Sequence, residues 1–154
     1  SLSALPLLYK GAEARTMTLI GLYDLAEKEQ IEVEAFALEK REALSVMDSD
    51  GQCCIAMDPR RIASAADEKT KLAHELGHCI TGAFYSIDSP FDIRQRHENR
   101  ADKWAIKRLV PEKELEKAVA DGYTEIWALA DFFGVTEDLM RRAVSWYKFG
   151  NLES

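Results

Sequence analysis

At 154 residues, with 47% of them hydrophobic, the chain is most simply one domain with enough apolar material for a packed core. A net charge of −7 speaks against general attraction to nucleic acid or to an anionic membrane surface, and it implies at most a mild preference for basic peptides. No stretch reaches the length of a membrane span, and the apolar start from Ser1 to Tyr9 is short and lacks the basic residues of a signal peptide.

In chain order, Thr16 to Gln30 is predicted as a first helix, with Thr16 as cap and Leu19, Leu22, Tyr23 and Ala26 on one side. Glu32 to Leu38 alternates polar and apolar residues and is predicted as a strand. A second strand covers Ala43–Met47. The run Asp48-Ser49-Asp50-Gly51 makes a hairpin turn, and Gln52–Met57 forms the third strand, ended by Asp58-Pro59. The next helix spans about Asp67 to Phe84, with Asp67 as cap. After a loop containing Ser89-Pro90, another runs from about Ile93 to Leu109, where Pro111 stops it. Three shorter helices follow, over about Pro111 to Ala120, Thr124 to Phe133 and Thr136 to Tyr147, punctuated by Gly122 and Gly134.

The cysteines are Cys53, Cys54 and Cys79. An odd count with two adjacent members makes a poor disulfide framework, so a reducing cytoplasm is the expected setting. Cys53 and Cys54 are read as strand residues and Cys79 as a small core residue.

The chemistry is concentrated in His74-Glu75-Leu76-Gly77-His78, followed by Glu98 and, four residues on, Asp102. Histidines four apart on a helix point the same way, because about 3.6 residues make a turn. Leu72, Leu76, Cys79, Ile80 and Ala83 supply an apolar stripe roughly opposite them. With Glu98 the imidazoles of His74 and His78 complete a His2Glu set, one of the catalytic arrangements for a single Zn2+. Glu75, about 100° round the helix, stands near the metal and is read as the general base. Asp102 is read as the acceptor that orients a ligating histidine, against the alternative of a salt bridge to Arg100 or Lys103. His97 and Tyr85 are the candidates for stabilising an oxyanion or touching substrate. Gly77 inside a helix costs about 1 kcal/mol against alanine; a close backbone approach or simple tolerance both account for it.

The segments Leu72-Ala73-His74-Glu75-Leu76-Gly77-His78, Glu98-Asn99-Arg100-Ala101-Asp102-Lys103-Trp104-Ala105 and Leu109-Val110-Pro111 resemble the ImmA/IrrE family of zinc metallo-endopeptidases, over roughly Gly51 to Tyr147. The spacing of Glu98 and Asp102 is similar to that of thermolysin-type zincins, in which the glutamate is the third ligand and the aspartate supports a ligand. The resemblance implies an α+β fold: a small antiparallel three-stranded sheet packed on a zincin-type helical core with C-terminal helices. It also implies an intracellular endopeptidase that cuts a protein substrate, a transcriptional repressor encoded by a phage or other mobile element. An edge strand before the motif helix would align the peptide, which points to Gln52–Met57.

Residues 112–154 form a helix-turn-helix-like subregion of the same domain: Ala130, Gly134 and Met140 have the required spacing. Thr136-Glu137-Asp138 at the start of the second helix repels phosphate, so DNA binding is not expected, and Arg141, Arg142 and Lys148 fit a solvated face. A DNA-binding regulator and a non-catalytic docking module, each with structural zinc, are the competing readings.

Overall fold

The computed structural model describes residues 16–86, 88–150 and 152; the apolar start at Ser1 to Tyr9 lies outside them. Helix α1 runs over Leu19–Lys28, and Thr18 rather than Thr16 caps it, its Oγ1 accepting from the Gly21 amide at 2.9 Å. Leu22 and Ala26 are its buried residues.

Strands β1 (Glu32–Ala35), β2 (Ala43–Met47) and β3 (Cys53–Met57) form one sheet in the order β1-β3-β2. The fold is α+β as expected, but the sheet is mixed and not antiparallel: β2 pairs antiparallel with β3, whereas β1 pairs parallel with it. The strand order follows from composition. Strand β3 reads Cys-Cys-Ile-Ala-Met and buries Cys53, Ile55 and Met57, while β1 reads Glu-Val-Glu-Ala and buries none of its residues. The apolar strand takes the centre, where both edges are paired, and the charged strand takes a rim. The reading of Gln52–Met57 as an edge strand is therefore corrected; the rim beside the motif helix is β2.

The chain between β1 and β2 is tied down by Asp58, whose side chain has no exposure. Its carboxylate accepts from the Leu38 amide at 2.9 Å and from Arg60 through Nε and Nη2, and its own amide donates to the Glu42 carbonyl. A buried carboxylate with this many donors is stable only as the anion.

Helix α2 (Ala65–Thr81) carries the motif. Ser64 caps it, accepting from the Asp67 amide at 3.1 Å, while Asp67 accepts from the Ala63 amide at 2.9 Å. Gly82, with φ 68°, ends it in the left-handed conformation. Leu72, Ala73 and Leu76 are fully buried, but Ile80 is 37% exposed and leaves the predicted stripe.

The cysteine reading is also corrected. Cys53 and Cys79 form a disulfide, with 5.7 Å between their Cα atoms, joining β3 to the last turn of α2; Cys54 is free. Neighbouring residues of a strand face opposite ways, so only one of the adjacent pair could meet the helix. The ground for inferring a reducing compartment is thereby removed.

Helices α3 (Phe91–Leu109), α4 (Glu112–Ala120), α5 (Ile126–Phe133) and α6 (Glu137–Phe149) complete the fold. Helices α2 and α3 lie unusually close. A Cβ at Gly77 would meet the Ala101 carbonyl oxygen at 2.6 Å and the Ala101 Cα at 3.0 Å, so the contact requires glycine. The C-terminal helices are fastened to α2: Lys69 Nζ donates to the Phe133 carbonyl at 2.7 Å, and the Thr136 amide donates to Thr70 Oγ1 at 3.2 Å. One apolar cluster runs through all layers, including Leu22, Ile55, Leu72, Ile106, Phe133 and Met140. No helix among the described residues is long and apolar enough to cross a membrane.

Candidate metal centre

The close contact of α2 and α3 at Gly77 and Ala101 brings their functional faces together. His74 and His78 project from α2, and Glu98 projects from α3, one turn before Ala101. One donor atom from each of the three lies within 4.8 Å of the others. His74 Nε2 is 3.2 Å from His78 Nε2 and 2.8 Å from Glu98 Oε2, and His78 Nε2 is 3.3 Å from Glu98 Oε1.

The hydrogen bonds behind these atoms decide their chemistry. Asp102 Oδ1 can only accept, so His74 Nδ1, 2.7 Å away, carries the proton. The Ala83 carbonyl likewise receives the proton of His78 Nδ1 at 2.6 Å. In its neutral form each ring therefore turns a bare Nε2 lone pair toward the other and toward a carboxylate. Three lone-pair donors at this distance repel one another unless a cation sits among them. A proton is one such cation. Burial disfavours it on His74, but the Asp102 and Glu98 carboxylates outweigh that and push the pKa up to about 10. Glu98 is held well below the usual carboxylate range: burial opposes this, but His74, His78 and Tyr85 prevail. A divalent metal is the other cation. Donors about 2.0–2.1 Å from a tetrahedral zinc stand about 3.3 Å apart, close to the spacings observed. The residues fit the ion.

The supporting atoms come from further away. Asp102, 5% exposed, bonds His74 through one oxygen and Arg142 of α6 through the other; neither Arg100 nor Lys103 pairs with it. Glu75, 8% exposed, accepts at Oε1 from Ser45 Oγ of β2 at 2.9 Å. The Tyr85 hydroxyl donates to Glu98 Oε1 at 2.7 Å; its pKa is raised by burial and by Glu98, with Arg41 pulling the other way. His97 is not among the donors: its ring stacks on Tyr85 with centroids 6.1 Å apart.

The groups open into a cleft of about 740 Å³ between β2, α2, α3 and the start of α6. Sequence reasoning did not find Ser45, Arg41, Arg94 or Arg142. For Arg94 a signal existed, since 94, 98 and 102 share one helix face. Ser45, Arg41 and Arg142 reach the site only through tertiary packing.

Two imidazoles and a carboxylate converging from two packed helices, with a further glutamate beside them, make the centre of a metallopeptidase-type protein. The profile of the peptidase family described as IrrE N-terminal-like domain matches residues 26–145, and the chain belongs to that family. Comparison with curated proteins returns no match.

Proposed function

We propose that the chain is a zinc-dependent endopeptidase that hydrolyses a peptide bond in a protein substrate, a repressor-type regulator of a phage or mobile element. The observation that carries the catalytic part is the convergence of two Nδ1-anchored imidazoles and Glu98, with the Glu75 carboxylate beside them. His74, His78 and Glu98 would hold the ion. When bound, such an ion lowers the pKa of a water molecule toward 7 and polarises a carbonyl.

Glu75 accepts the proton of the attacking water and returns it to the leaving amine. Ser45 holds one oxygen of that carboxylate and leaves the other free. Asp102 keeps the His74 proton on Nδ1, and Arg142 keeps Asp102 aimed. The Tyr85 hydroxyl, which donates to Glu98, would serve as the donor to the developing oxyanion. Among the described residues strand β2 pairs with β3 alone, and Ala43, Leu44 and Ser45 line the cleft, so an extended substrate adds along this rim.

The decisive experiment incubates the purified, zinc-loaded chain with candidate repressors encoded nearby. Cleavage abolished by chelator and by Glu75→Gln, with zinc retained in the variant, is the expected result. Full activity of Glu75→Gln removes the general-base role.

A further inference from the structure

The chain is strongly acidic, yet one part of the cleft has cations to spare. Its carboxylates are already engaged: Glu98 with His74, His78 and Tyr85, Asp102 with His74 and Arg142, Glu75 with Ser45, and Glu42 with Lys71 at 3.6 Å. Asp138 is the remaining carboxylate, and it stands one turn before Arg142 on α6. Lys40, Arg41 and Arg94 also line the cleft, and none has an ion pair with a described residue.

Arg94 is the informative member. It lies one turn before Glu98 on α3, so its side chain shares the face of the metal-site carboxylate. Its Nε is shut off from solvent and has no hydrogen-bond partner among the described residues. A guanidinium N–H withdrawn from water without an acceptor is costly, and Arg94 lines the cleft, so turning its side chain toward a bound carboxylate would relieve that cost. Arg41 lies beside Tyr85, which touches Glu98. The loop that carries it is pinned at Leu38 and Glu42 by Asp58, so its cation is delivered to the cleft by design of the backbone.

We propose that Arg94, with Arg41 and Lys40, is a carboxylate-binding subsite, so that the segment cut here carries an aspartate or glutamate beside the scissile bond. This rests on the peptidase reading and names its substrate chemistry. It reverses the mild preference for basic peptides that the net charge implied: the cleft's local field, and not the sum over the chain, meets the substrate.

The test uses the full zinc-loaded Glu75→Gln chain and two fluorescein-labelled decapeptide pools, identical except that one contains Glu where the other contains Gln. Fluorescence anisotropy at low ionic strength should show the Glu pool bound about tenfold more tightly. Arg94→Gln should cut the preference to about twofold, and Arg94→Lys should keep part of it, since lysine retains charge without the planar fork. Arg41→Gln should also weaken it. Equal binding of the two pools, or a preference untouched by both glutamine variants, overturns the proposal. Cleavage of the same pools by the wild-type chain, mapped by mass spectrometry, separates the two readings. Acid-selective binding without cleavage keeps the subsite and removes the peptidase. Cleavage with no acidic residue enriched near the cut keeps the peptidase and removes the subsite.

Discussion

Replacing Gly77 by alanine tests the helix contact on which the centre depends. Two effects oppose each other. Alanine in a helix interior is favoured over glycine by about 1 kcal/mol. Against this, the new Cβ would stand 2.6 Å from the Ala101 carbonyl oxygen, 0.8 Å short of the 3.4 Å at which ordinary contact begins. The atom it meets is backbone, so relief requires α2 and α3 to part. Overpacking of this kind costs about 1–3 kcal/mol, and the net expectation is a loss of up to about 2 kcal/mol. For a chain of this size that lowers Tm by up to about 8 °C. Zinc should suffer more than stability, because ligand distances tolerate only about 0.2 Å and Glu98 is one turn from Ala101. We expect at least about tenfold weaker zinc binding, measured by competition with a chromophoric chelator, alongside thermal unfolding of the zinc-free chain. A Gly77→Ala chain with raised Tm and unchanged zinc affinity would refute the close-approach argument.

Three further outcomes follow from other contacts. Asp102→Ala should weaken zinc by about 10–100-fold and Arg142→Gln by less; affinities within twofold of wild type for both would detach Asp102 from the site. The Asp58 carboxyl is held well below the usual carboxylate range by Arg60 and the Leu38 amide, which outweigh its desolvation. Its unfolded form takes up protons first, so its contribution is complete above about pH 4 and fades as pH falls further. Asp58→Asn should lower stability at neutral pH and flatten the acid limb of a denaturation series; an unchanged limb contradicts this. Finally, the disulfide links residues 26 apart, for which loop closure predicts about 3.5 kcal/mol. Cys53→Ala should therefore lower the urea midpoint, and reductant should act on the wild type but not on the variant.

What the sequence determined by itself was local. The spacing of His74, Glu75 and His78, and of Glu98 and Asp102, follows from the pitch of a helix, and the donor set was legible without any fold. Strand Ala43–Met47 was found to the residue, and most helix ends fell within a few residues because their caps are short-range devices. What only the tertiary structure decided was which distant segments meet. The position of β3 between β1 and β2, the pairing of Cys53 with Cys79, the grip of Ser45 on Glu75 and the reach of Arg142 to Asp102 all depend on it. It also chose between two explanations of Gly77, by placing the Ala101 backbone against it. Hydrogen-bond periodicity along one element is written in neighbouring residues, whereas strand order and side-chain pairing between elements are set by which arrangement buries the most apolar surface while leaving few polar groups without a partner.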